Sequence, residues 1–325
     1  MMKLIVSFAI GCAAAVGVFA QTPTSTPPPQ PQPTSTPAPK PAQSTSQVQR
    51  VTPIGGRPYS NFSLNPVSES DRLAARVVRM QSIVAPLYRK PSRKETASLA
   101  PDGSFLQRYA SLLKADGAGI IRLAPDIGCV YSERVVSAAE DCLKFSFPGA
   151  GNSFSFRTES YRLRHLADIS YVNGKLRMTG IFMHGIAVDI GDVPVEAVSF
   201  STEGLGFLTS FQPSTTSEDV VAIDRNFTRG IRADDFVYSK EVTPTVNRTY
   251  VIRAVAYRGK VVRSAGGVRY NELDYDKRRD VIVAFRILDI GKDGITLVWR
   301  KLSDAEPPRI KMPKAEKEVD EDEAN

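Results

Sequence analysis

Few residues in this chain are of a type and spacing that does chemistry. Its histidines are His165 and His184, so a serine–histidine–acid triad would have to use one of them. No Gly-x-Ser-x-Gly elbow accompanies either. His165 with Asp168, or His184 with Asp189, could contribute to a metal site if distant carboxylates joined them, although isolated histidines are more commonly structural. Glu159, Asp168, Asp189, Asp192 and Glu196 supply candidate partners for the paired carboxylates of a glycoside hydrolase. Their separation in space is not set by their order along the chain. Zinc-type cysteine spacing and a Walker loop are missing, and Gly149-Ala150-Gly151-Asn152 lies between β segments with no helix to bind a phosphate, so it reads as a turn. No cofactor or resident metal is expected, and no specific nucleic-acid motif is present.

Cys129 and Cys142 are the cysteines that lie outside the apolar N-terminal run, which holds Cys12. In an exported chain two remaining cysteines pair with each other, and the segment between them has no histidine to complete a metal site. The densest basic cluster comprises Arg72, Arg76, Arg79, Arg89, Lys90, Arg93 and Lys94. Such a cluster could meet an anionic surface or a polysaccharide; a solvated helix face is the plainer reading.

The elements that must position these groups begin after a long non-globular start. Lys3 precedes an apolar run over 4–20 that ends Val18-Phe19-Ala20, the pattern of a secretory signal cleaved after Ala20. Kept in place, the same run would be at the short edge of a membrane anchor. Cys12 lacks the polar continuation of a lipoprotein signal. Residues 21–47 are rich in Pro, Thr and Ser and repeat Pro-Thr-Ser-Thr-Pro, which favours extended polyproline II and cannot build a core. The chain is 325 residues long with a formal net charge of +7 and 42% hydrophobic residues, enough for a real core. Glu316, Glu318, Asp320, Glu321, Asp322 and Glu323 make the C-terminus acidic, so the body is more basic than the net charge indicates.

The body reads as α+β, predominantly antiparallel β, with two short N-terminal helices followed by a β-rich part in two units. Ser68 caps a helix whose apolar residues are Leu73, Val77, Met80, Val84 and Leu87, with Pro86 ending its regular part. A second helix is predicted over 104–115. Strands are predicted over 120–123, 143–147, 153–157, 161–166, 185–190 and 196–200. Asn173-Gly174 turns a hairpin between 168–172 and 175–182. The polar stretch 212–219 is the best internal boundary, and 248–257, 280–288 and 295–302 are strong strands beyond it. The long basic loop 258–279 is either functional or disordered, with disorder favoured. The division expected is therefore a signal peptide at 1–20, a disordered linker at 21–47, a helical start with the first β unit at 48–212, a second β unit at 213–305 and a disordered charged tail at 306–325.

At the level of organisation alone, this layout resembles exported bacterial proteins in which a β-rich body follows a leader and a Pro/Thr-rich linker. The function expected is that of an exported, non-enzymatic binding or structural module of the cell envelope or extracellular space. A secreted glycan hydrolase using a carboxylate pair is the alternative. The location expected is periplasmic or secreted, with no membrane span in the mature chain, or membrane-anchored if the leader is kept.

Overall fold

The computed structural model describes residues 68–310, apart from 127, 133, 134 and 137. The expected leader, linker and the tail beyond 310 lie outside the described residues. In chain order the strands are β1 (Ala118–Leu123), β2 (Val130–Ser132), β3 (Val135–Val136), β4 (Ser153–Ser155), β5 (Ser160–Tyr161), β6 (Ile169–Val172), β7 (Lys175–Met178), β8 (Met183–Asp189), β9 (Ile231–Ala233), β10 (Phe236–Ser239), β11 (Glu241–Val242), β12 (Thr249–Ala256), β13 (Val262–Ala265), β14 (Val268–Asn271), β15 (Asp280–Gly291) and β16 (Gly294–Ala305). The helices are α1 (Glu69–Tyr88), α2 (Gly103–Arg108), α3 (Glu140–Leu143), α4 (Gly206–Ser210) and α5 (Ser217–Arg229).

A seven-stranded sheet in the order β1-β16-β15-β12-β8-β10-β9 forms the middle of the body. A five-stranded sheet, β11-β7-β6-β4-β5, packs on one of its faces. Every pairing between these strands is antiparallel, so the fold is α+β with predominantly antiparallel sheet. Phe154, Ile169, Leu176 and Met178 of the smaller sheet, with Phe156 just after β4, meet Ile252, Val283, Phe285, Leu297 and Trp299 of the larger. On the opposite face Val188, Val251, Ala284 and Val298 are covered by Leu205 and Leu208 at α4 and by Phe227 of α5. Both faces of the central strands are thus buried, which is why β12, β15 and β16 read as nearly continuous apolar runs rather than strict alternation.

The β units expected on either side of residue 212 share this one sheet, because β1 and β8 lie among strands from the last third. A turn-rich stretch marks a chain reversal as readily as a domain boundary, and the strands themselves carry no mark of their partner. The stretch leads into α5, whose cap is Thr216 accepting from the Asp219 N–H at 3.4 Å.

Helix α1 starts as expected, with Ser68 Oγ accepting from the Asp71 N–H at 3.1 Å. Pro86 does not stop it; the helix runs on to Tyr88, where Arg89 N–H bonds Ala85 O at 3.1 Å. Met80, Val84 and Tyr88 form its buried stripe while Leu73 is exposed. They pack on Ala265, Leu163 and Leu166. Residues 258–279 are therefore ordered, correcting the favoured reading of disorder. β13 and β14 form a hairpin around Gly266 and Gly267, both at positive φ, which a type I′ turn requires and a glycine pair adopts without strain. The predicted strands at 143–147 and 196–200 are absent. α3 and tight turns occupy the first, and a 3-10 turn at Val195–Ala197 takes the start of the second; of the strand predicted over 161–166 only Tyr161 lies in a strand, and Arg164–Leu166 is a 3-10 turn. The chain also stays folded past 306, where Ile310 is buried with Val255 and Tyr257 and its N–H bonds Arg258 O at 3.1 Å. Among the described residues no helix is long and apolar enough to cross a membrane.

Candidate functional site

Several segments converge near the C-terminal end of α1. Arg162 Nη1 donates to Tyr88 O, and the Tyr88 ring stacks on Tyr275 with centroids 4.8 Å apart, which fixes where α1 ends. The loop carrying Gly149 passes directly over the Arg162 backbone. Gly149 has φ +90, and a Cβ there would run into the Arg162 carbonyl, so only glycine fits. The 3-10 turn Arg164–Leu166 follows, and His165 O accepts from the Ile181 N–H at 2.7 Å. Met178 N–H in turn bonds Lys240 O at 2.8 Å.

These segments enclose an open cleft of about 770 Å³. Its apolar lining includes Leu87, Phe147, Leu163, Met178 and Ile181. Arg89, Arg164, His165 and Lys240 supply its charged or titratable lining, and no aspartate or glutamate lines it. Each of the four has a carboxylate partner outside the lining. Arg89 pairs with Glu95 at 2.5 Å, Arg164 Nη2 with Asp126 at 2.7 Å, and Lys240 Nζ with Asp224 at 2.8 Å. His165 Nε2 lies 2.8 Å from Glu272 Oε1. Glu272 is buried and also accepts from Tyr88 Oη at 2.7 Å and from Arg263 Nε at 2.7 Å. Burial pushes its carboxyl up, but the bonds from His165, Tyr88 and Arg263 outweigh burial and hold it at about 2.

A second polar cluster anchors the cleft walls. The Arg157 side chain is fully buried; Nε bonds Asp168 Oδ1 at 2.6 Å, Nη1 bonds Asp276 Oδ2 at 2.6 Å, and Nη2 bonds Leu166 O at 2.9 Å. Arg278 Nη1 shares Asp276 Oδ2 at 2.7 Å, while Nη2 reaches Ile181 O and Phe182 O at 3.0 and 2.6 Å. Burial and the neighbouring Arg157 lower Arg278 to about 10. These guanidinium groups have their donors committed to backbone carbonyls and carboxylates, which makes them fasteners. Nothing in the local sequence marked Arg157, Arg162 or Arg278, because a buried arginine looks like any other arginine until its acceptors are known.

Cys129 and Cys142 form a disulfide with Cα atoms 5.2 Å apart. Of the basic cluster read from sequence, Arg89 alone lines the cleft. Arg76 Nη2 donates to Gly267 O at 2.5 Å and helps dock α1, while Arg72, Arg79, Lys90, Arg93 and Lys94 are exposed outside the cleft lining. The fold places Arg164, His165 and Lys240 in the lining of the same cleft as Arg89. No family model matches this chain, and neither a curated protein nor a solved structure matches it.

The expected chemical groups are scattered. Asp168 is tied to Arg157, Asp189 to Arg248 at 2.7 Å, Asp192 to Arg286 at 2.6 Å and Glu159 to Lys301 at 2.9 Å. Glu196 is exposed, and none of the five lines the cleft. His184 does not meet Asp189; its Nε2 bonds Val220 O at 2.7 Å and its Nδ1 takes Tyr257 Oη at 2.9 Å. His165 meets Glu272 rather than Asp168. Among the described residues no cluster of histidine, cysteine and acid is suited to a metal ion.

Proposed function

We infer that this chain is an exported, non-enzymatic binding module of the cell envelope or extracellular space, and that it binds through the cleft beside the end of α1. The observation carrying this reading is the cleft's composition, an apolar lining in which the fully charged side chains are all cationic. A pocket of a few hundred cubic ångströms with few polar groups is the usual form of a small-ligand site. The N-terminal apolar run and the Cys129–Cys142 disulfide both fit an oxidising compartment outside the cytoplasm. An anionic partner suits the basic body, and the cleft concentrates that preference where apolar contact is also available. The hydrolase alternative draws no support from the cleft, whose lining lacks a carboxylate.

The test is binding of the purified, disulfide-intact protein to isolated envelope material over a salt series. Affinity should fall steeply as salt rises. The variant R89A/R164A/K240A should weaken it further. Binding that ignores salt, or none at all, would overturn the reading. Intact mass and N-terminal sequencing of the exported protein should place its first residue at Gln21.

A further inference from the structure

The geometry points to one class of ligand for this cleft: a single-chain anionic amphiphile, with its hydrocarbon chain along the apolar lining and its phosphate or carboxylate head at Arg164 and Lys240. This inference rests on the binding function proposed above and names its ligand.

The argument begins with the apolar side. Phe147, Leu163 and Met178 are buried and form a preformed surface, while Leu87 and Ile181 are only half-buried at the opening. A volume of about 770 Å³ is within the range of sites that enclose most of a small molecule. Covering that surface with a flexible chain removes apolar area from water and asks for no directional contacts. A sugar or nucleotide would want broad exposed aromatic platforms, and apart from the His165 imidazole, held by Glu272, the lining's one aromatic ring is the buried Phe147.

The polar side selects the head. Arg164 uses Nη2 on Asp126, and among the described residues its Nε and Nη1 make no hydrogen bond. The two bidentate edges of a guanidinium, Nε with Nη2 and Nη1 with Nη2, share Nη2, which has a second N–H, so the edge turned away from Asp126 is left to match a carboxylate or phosphate. Lys240 Nζ bonds the two oxygens of one partner, Asp224, at 2.8 and 3.0 Å, and an ammonium has three donors. Arg89 is less available, since both Nη atoms engage Glu95. The carboxylate partners hold the cations in place from outside the lining, so an incoming anion meets pre-oriented donors and no acid. A cationic head would meet like charge there, and a neutral head would leave the fork unused.

Calorimetric titration of the mature, disulfide-intact chain decides this, with each amphiphile kept below its micelle concentration. The probes are lauroyl lysophosphatidate, laurate, monolaurin, dodecyltrimethylammonium and inorganic phosphate. Lysophosphatidate and laurate should bind one per chain, at least about tenfold tighter than monolaurin. Their ratio tells a phosphate head from a carboxylate head. Dodecyltrimethylammonium and phosphate should show no saturable binding. R164A/K240A should abolish the preference over monolaurin while the shared chain affinity remains, and I181E should weaken every amphiphile by roughly tenfold. R164K guards against a folding defect and should keep part of the preference. Equal affinity for monolaurin, tight binding of phosphate alone, or a preference that survives R164A/K240A would overturn the inference. If envelope binding persists while no amphiphile binds, this ligand class alone is wrong; if both are missing, the binding function falls with it.

Discussion

Glu272 is the acceptor for a residue from each of three segments: Tyr88 of α1, His165 of the 3-10 turn and Arg263 of β13. Replacing it by glutamine removes the charge on which three donors converge, and E272Q should lose on the order of 3 kcal/mol in urea unfolding. Its folded pKa lies below the ordinary value, so the stability it supplies is complete above about pH 4.5 and is lost as pH falls from there toward 2. His184 acts in a higher window. Burial lowers its pKa, only partly offset by the bond to Val220 O, so the folded state holds the neutral ring. Its contribution is present above about pH 6.5, the unfolded value, and declines as pH drops below it. Unfolding free energy measured from pH 8 to pH 3 should therefore fall in two steps, and H184Q should flatten the upper one while leaving the lower. Neither role was legible in the sequence, where His165 and His184 stand beside Asp168 and Asp189. Proximity along the chain named the wrong acids because β alternation and the turn at 164–166 send those side chains to different partners.

Helix α1 and its C-cap contribute Pro86, Leu87 and Arg89 to the cleft, and its position depends on a narrow stripe packed on the β13–β14 hairpin. Val84 is fully buried there, and V84A should cost about 2 kcal/mol from lost burial and a small cavity. Amide exchange across residues 69–88 should accelerate in that variant, with β12 and β15 unchanged, because α1 is a peripheral unit. At this scale the sequence was informative wherever pattern and turn chemistry agreed. The β6–β7 hairpin turns at Asn173 and Gly174, both at positive φ, as read from those two residues. The Ser68 cap and β12, β15 and β16 were equally clear. The failures had physical causes. Leu143, Phe145 and Phe147 alternate as a strand would, yet Leu143 is exposed and the two phenylalanines are buried from irregular backbone. α5 was hidden because its cap lies inside a run of turn-forming residues, and β13 and β14 because Val262, Arg263, Ser264 and Arg269 are all exposed and no apolar alternation marks them.

Across the described residues, two further layers pack on the seven-stranded sheet, and the disulfide closes a loop spanning 13 positions. Reducing Cys129–Cys142 should lower stability by about 3 kcal/mol in the chain-entropy account. Neither cysteine should label with a thiol reagent until reductant is added; labelling of both in the untreated protein would mean the bridge does not form in solution. The alignment of the strands into one sheet was the part of the architecture least accessible from sequence, since strand order depends on long-range pairing that no local pattern encodes. The convergence of Arg89, Arg164 and Lys240 was hidden for the same reason.

Trp299 is the chain's single tryptophan, 2% exposed, with Phe154 of the opposing sheet and Phe156 just after β4 at centroid distances of 6.0 and 5.2 Å. No hydrogen bond reaches its Nε1 among the described residues. The protein therefore carries an intrinsic optical gauge at the seam between its two sheets. Its fluorescence should be blue-shifted in the native state and move to the red when the sheets part. Loosening of α1 alone should leave the colour of that emission untouched, so one wavelength scan separates events at the rim of the cleft from failure of the body that holds it.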